Sequence, residues 1–455
     1  MERRIITRRG LLHWAVVASA GTALAACAPK TIEVEKTVEK TVVVKETVLA
    51  PTAVGEVAEI TYFDIDESGF GEDAFKVYTD QVVAPFNEQN PNIKVNFQAG
   101  TDDWPQTIMA GMAAGNAPDI FLHYTDFGQE LMQGGQTLPL QEHFQPDDLA
   151  DFYESQLVAM RIGPSLFALP KYISAMTLVY NKDMLDEAGV AYPDGTWDWT
   201  DLANALEKVS KLGPNELGQR WGFSVNIPYH QHWVWMNGGE WMNKEFLGTK
   251  CLIGEPKGVE AEQFVHDMIW KYGYAPKAAD IEGLGWWSTF QTGRFAFQDA
   301  FSWGVSVFVR YCQFRWDLTV IKGPAGNGSQ CGSDAYSIWA QTKHPEAAAS
   351  FLRYLTSVEV EKIMMLSVHG WHPSRKSLQQ AWSTESEAAK AGINVKALSD
   401  VMAFARQIPF FYDHAKVYEI LNPLWDQIWV TGELPLAAGL QQITNLVNEY
   451  LASVV

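Results

Sequence analysis

Leu166-Phe167-Ala168-Leu169-Pro170, then Thr177-Leu178-Val179-Tyr180-Asn181-Lys182-Asp183-Met184-Leu185, Gly189 and Thr196-Trp197-Asp198-Trp199-Thr200-Asp201-Leu202 lie in the stretch, ending at Lys211, whose reading decides the fold. Thr177 to Tyr180 is a β-branched and aromatic run that suits a buried strand. Asn181 can cap a short helix, and Gly189 can end it in the left-handed conformation. Asp198 is a second N-cap with Asp201 at N3, a capping-box spacing. Leu202, Ala205, Leu206 and Val209 recur at helical spacing, so one apolar face runs to about Lys211. Strand, short helix, turn and long helix make an α/β unit.

The spelling of that unit, Leu-Pro, then Val-Tyr-Asn-Lys-Asp-Met-Leu, then Gly, then Thr-Trp-x-Trp-x-x-Leu, resembles the extracellular solute-binding proteins that feed ABC importers, in particular the sugar-binding branch with its maltodextrin binders. Three further segments resemble the same family. They are Ala114-Gly115-Asn116-Ala117-Pro118-Asp119-Ile120-Phe121, then Phe290-x-x-Gly293-Arg294-Phe295-Ala296-Phe297 closing on Ser302-Trp303-Gly304, and Gly370-Trp371-His372-Pro373-Ser374-Arg375-Lys376. The resemblance implies an α/β, two-lobe periplasmic-binding-protein-like fold, each lobe a central sheet flanked by helices, with the ligand cleft at the hinge. Residues 56–169 plus 317–370 are expected in the first lobe, and 170–316 plus 371–455 in the second. It further implies a monomer that captures a mono- or oligosaccharide by lobe closure and delivers it to permease subunits, with no cofactor and no catalysis. An acidic cluster from Asp64 to Glu67 and the tryptophan density near Trp233 depart from the family pattern; a sugar alcohol or a cation stays open as the ligand.

The N-terminus carries Arg3, Arg4, Arg8 and Arg9 before an apolar run from Leu11 to Ala26. A basic segment before a short apolar one is an export signal, too short for a permanent membrane span. Thr7-Arg8-Arg9-Gly10-Leu11-Leu12 fits twin-arginine export, with a Sec signal as the alternative. Leu24-Ala25-Ala26-Cys27 has the form of a lipobox, in which Cys27 takes the lipid. Residues 1–26 are then the signal and 27–55 a tether. Thr31 to Val48 repeats Val, Thr, Glu and Lys without an aromatic to anchor a core, which suits a solvated spacer. The expected location is the outer face of the cytoplasmic membrane.

The 455-residue chain has a formal charge of −20, and loss of the signal's four Arg and one Glu moves it to −23. That balance opposes nucleic-acid binding. It favours neutral or cationic ligands. Beyond Cys27, only Cys251, Cys312 and Cys331 remain. Three thiols are expected, a Cys312–Cys331 bridge being the alternative, and no zinc spacing is present.

The candidate ligand contacts come from several segments. Asp64, Asp66 and Glu67 follow the first strand, where the family's loop borders the cleft. The Asp-x-Asp-x-Ser-Gly spelling there copies the start of a calcium loop, but Phe75 stands where the bidentate Glu should be. Tyr124 and Asp126 lie beyond the carboxyl end of the Asp119–His123 strand, the place where open α/β sheets bind ligands. Tyr172 falls where the chain crosses between lobes, and Asp334 and Tyr412 are later candidates. The 18 Trp exceed what packing needs, and an indole face fits the C–H face of a pyranose. Trp233, Trp303 and Trp371 match the family's cleft aromatics. No His-Glu-x-x-His, Gly-x-Ser-x-Gly or dinucleotide fingerprint occurs. An exported glycoside hydrolase working through paired carboxylates is the alternative function. A surface adhesin is a third, and the repeats usual in adhesins are absent.

Overall fold

The computed structural model describes residues 57–65, 74–100, 104–285 and 288–455. The signal, Cys27, the tether, Asp66 and Glu67 lie outside the described residues, and so does the side chain of Asp126.

In chain order, the strands of the two main sheets are β1 (Ala58–Ile65), β2 (Ile93–Gly100), β3 (Ile120–His123), β4 (Ala168–Pro170), β5 (Ser174–Asn181), β6 (Trp221–Ser224), β7 (Phe295–Phe301), β8 (Trp316–Thr319), β9 (Ser329–Gly332), β10 (Ala335–Ile338) and β11 (Ala405–Gln407). Among the described residues the first sheet has the order β2-β1-β3-β10-β4. Its β1 runs parallel to β2 and β3, while β10 is antiparallel to β3 and β4. The second sheet has the order β11-β9-β5-β7-β6, with β8 antiparallel to β5.

Each sheet is covered by helices, and each has its own core. Ile60, Tyr62, Ile120, Leu122, Tyr336 and Ile338 of the first sheet pack with Val82, Phe86, Phe351 and Leu352 of its helices. In the second, Leu178, Tyr180, Phe223 and Phe297 meet Leu202 and Leu206 of the Trp199–Val209 helix and Leu440 and Val447 of the Leu436–Val454 helix. All eight residues of β5 are buried, as expected of a strand covered on both faces.

The opening stretch folds as its spelling dictates. Asn181 accepts a bond from the Met184 amide at 3.1 Å, and Gly189 takes φ 64° where the helix ends. Asp198 accepts from the Thr200 and Asp201 amides, and Asp201 accepts in return from the Asp198 amide at 3.0 Å. Both halves of the capping box are made.

The chain crosses between the sheets at Lys171–Ile173, from β4 into β5, and at Ser333–Asp334, from β9 into β10. The Lys171 amide donates to the Asp334 carbonyl at 2.8 Å, and Ser333 Oγ donates to the Tyr172 carbonyl at 2.5 Å. The Ile173 amide donates to the His372 carbonyl at 2.8 Å, which ties in a third segment. Asp317, where the return to the first lobe is expected, pairs instead with Tyr180 in the second sheet. Residues 316–332 supply two strands to that sheet, because their alternating apolar residues pack against β5, and the return comes only at Ser333.

Candidate functional site

A cleft of about 1420 Å³ is lined by residues of both lobes. That exceeds the ~300–1,000 Å³ of ordinary small-molecule pockets. On the first-lobe side, Tyr172 and Trp371 belong to the core of the first sheet and Trp303 packs on it. The rings of Tyr172 and Trp371 lie 5.2 Å apart at 31°, and Tyr124 meets Trp104 edge-on at 5.1 Å.

The opposite wall comes largely from the His414–Trp429 helix. Its residues His414, Tyr418, Leu421, Trp425 and Asp426 line the cleft. The first four recur at three to four residues, so one stripe about 17 Å long faces the cavity, with Asp426 at its edge. Val417, Leu421, Ile428 and Trp429, on the same side of the helix and adjoining that stripe, enter the second-lobe core. Phe410 stacks on His414 with centroids 3.8 Å apart, and Tyr418 lies tilted at 32° against His414 at 4.2 Å. Trp425 is held between Trp241 at 5.6 Å and the His230 ring at 5.5 Å. His230 is itself buried and shares a 2.7 Å hydrogen bond with Glu262. Burial depresses the His414 imidazolium to about 4, so its ring is neutral at ordinary pH. Desolvation, then the Asp334 carboxylate, hold the Tyr124 hydroxyl up at about 12. Two lining residues keep a buried polar atom that has no hydrogen-bond partner among the described residues, Gln231 Oε1 and Trp241 Nε1.

Of the residues singled out from sequence, Tyr124, Tyr172, Trp303, Asp334 and Trp371 line this cleft. Asp334 accepts a 3.0 Å bond from the Tyr172 hydroxyl. Asp64 is placed differently: it is 0% exposed and is not among the lining residues. Lys171 Nζ and the Ile65 amide each donate to its Oδ1 at 2.8 Å, and the Tyr62 and Tyr336 hydroxyls each donate to Oδ2 at 2.7 Å. Four donors occupy the lone pairs a sugar hydroxyl would need. Lys171 also sits 4.3 Å over the Trp371 ring, so the buried ion pair braces a cleft aromatic.

Trp233 is 1% exposed and lies in the second-lobe core, among Trp199, Phe223 and Phe264. Its indole N–H donates to Asp299 at 2.9 Å. The short His232–Met236 helix that carries it is buried on every side. Tyr412 is 41% exposed outside the cleft, while Phe410 and His414 on either side of it line the wall. Tyr229, Trp241, Tyr418 and Trp425 are lining rings not selected from sequence. The spacing of 414, 418, 421 and 425 was a usable signal for one face, though not for which face met a cavity.

Among the described residues, no group of three or more His, Cys, Asp or Glu is placed to hold a metal ion. None of their helices is long and apolar enough to cross a membrane. Cys251, Cys312 and Cys331 are free thiols, and desolvation pushes Cys312 and Cys331 up to about 12.

Solved structures share this architecture. An ABC substrate-binding protein from Listeria monocytogenes in complex with cycloalternan superposes with a TM-score of 0.73 at 22% identity, covering 87% of this chain and 100% of that one. The cyclic α-maltosyl-1,6-maltose binding protein from Arthrobacter globiformis gives 0.71 at 19%, covering 88% and 100%. A putative binding protein of Brucella abortus is 28% identical over 199 residues, 42% of this chain and 46% of its own length. The chain thus spans about half the length of that curated relative. The profile of the family described as bacterial extracellular solute-binding protein matches residues 71–362. With two lobes, a cleft at their crossings and a family match over more than half its length, the chain belongs to the bacterial extracellular solute-binding proteins.

Proposed function

We propose that this protein is the substrate-capturing component of an ABC importer, that its ligand is a carbohydrate, and that it releases the ligand unchanged to permease subunits. The observation that carries this reading is the cleft with aromatic rings on both walls, Tyr172, Trp303 and Trp371 facing Trp241, Tyr418 and Trp425. Ring faces cover the C–H faces of a pyranose, and the hydroxyls around its rim need donors and acceptors such as Tyr124, Gln231, Asp334 and Asn422. The solved relatives named for cycloalternan and for a cyclic maltosyl-maltose agree with a saccharide. None of the relatives named above is a hydrolase.

Capture would proceed by hinge closure about residues 171–173, 333–334 and 371–373, with the closed form favoured by its added ligand contacts. Each lobe is the set of elements built on one of the two sheets. Residues 1–26 serve as the export signal and Cys27 as the lipid attachment point. The tether up to residue 55 lets a monomer range above the membrane. Calorimetry against mono- and oligosaccharides tests the assignment. Saturable binding without release of shorter sugars supports it, and turnover of a bound glycoside would replace it with the hydrolase.

A further inference from the structure

The charged side chains around the cleft are distributed unevenly. Among the described lining residues there is no Lys and no Arg. Three carboxylates line it: Glu130 and Asp334 on the first-lobe side and Asp426 on the second. The residues between 57 and 455 that fall outside the description, 66–73, 101–103, 286 and 287, also contain neither Lys nor Arg in their sequence.

The nearby cations are already committed. Lys171 has a fully buried side chain paired at 2.8 Å with Asp64, so that pair adds no net charge beneath the first-lobe wall. Arg406, near the lining residue Ile408, binds both oxygens of Glu240 at 3.0 and 2.8 Å. Arg310, between the lining residues Val307 and Tyr311, is not itself a lining residue and donates to the Val368 carbonyl at 2.8 Å, which holds the side chain without neutralising it. His414, on the second-lobe wall, is neutral at ordinary pH for the reason given above.

From this distribution we infer that the cleft selects saccharides by charge, admitting neutral or amine-bearing ones and rejecting those that carry a carboxylate or phosphate. The inference rests on the carbohydrate reading and narrows it. An anionic sugar entering the closed cleft gives up its hydration without meeting a counter-charge. It also meets three carboxylates whose field the low-dielectric walls concentrate. A protonated amine meets the opposite situation, with carboxylates and the faces of tryptophan and tyrosine rings as partners.

The test uses malto-, cello-, manno-, xylo- and arabinotrioses. Each is compared with its aldonic acid and its 1-amino-1-deoxy alditol, and the three hexose trioses also with their non-reducing-end uronic acids, by calorimetry on the full chain at low salt. The expected result is that each acid binds its cleft more weakly than the neutral parent by at least about threefold, and that the amine equals or betters the parent. The gap should shrink as salt is raised. In a protein carrying Asp334→Asn with Asp426→Asn, the ratio of parent to acid affinity should fall toward one. An acid that stays within about threefold of its parent in the unaltered protein overturns the inference and leaves the carbohydrate reading standing. Binding of acids alone has the same meaning. Binding of no parent and no derivative counts instead against the carbohydrate reading.

Discussion

Trp303 and Trp233 are the same residue type in unlike surroundings, and their alanine variants should separate binding from folding. Trp303 lines the cleft from a partly buried position, so W303A removes one apolar face from the ligand. A loss of about 1.5–3 kcal/mol is expected, roughly ten- to a hundredfold in affinity. Calorimetry with whichever saccharide binds will show it. W233A should instead cost about 3–5 kcal/mol of stability, visible as a lowered denaturation midpoint, because it empties a packed core site. Asp64→Ala makes a third case. It removes the carboxylate that pairs at 2.8 Å with the buried Lys171 ammonium, and should cost about 3–5 kcal/mol. Nothing in the spelling around Trp233 and Trp241 told core from cleft, since both sit in the same aromatic run. That difference is set by a five-residue helix turned inward, and only tertiary packing decides its orientation. Asp64 was misplaced for a related reason. Its partners Lys171 and Tyr336 lie 107 and 272 residues away in sequence.

Local elements, by contrast, could be read from the chain directly. The Asn181 and Asp198 caps, the left-handed Gly189 and the buried run of β5 depend on residues within a few positions of one another. Asp198→Ala should lower stability by about 0.5–2 kcal/mol and leave ligand affinity alone, because the Trp199–Val209 helix packs away from the cleft. The Val358–Leu366 helix supplies a pH-dependent case. Burial pushes the Glu361 carboxyl up from 4.5 to about 8, against the pull of Ser374 and Arg375. Because the folded value is raised, the stability it contributes is complete below about 4.5 and is lost as pH climbs through about 8. Thermal midpoints of the natural protein should therefore decline over that interval, and Glu361→Gln should flatten the decline. Parallel pH profiles for the two proteins would refute the assignment. The His414–Trp429 helix carries its core residues and its cleft residues on adjoining strips of one side. Periodicity alone could not say which one faced a cavity.

At the scale of the whole molecule, the three crossing segments are cross-linked by backbone and side-chain bonds, which gives the two lobes a shared pivot. A ligand that touches both walls should draw them together. Small-angle scattering should record a smaller radius of gyration at saturation, and an unchanged radius would argue against lobe closure. The lining residues run from Ile65 to Val430, and much of one wall arrives with the helix that begins at His414. A chain that still lacks that helix has an incomplete binding surface. Recognition therefore switches on late, after nearly the full polypeptide has arrived. On the carbohydrate reading proposed above, a bound sugar would mark a chain whose two halves have already met.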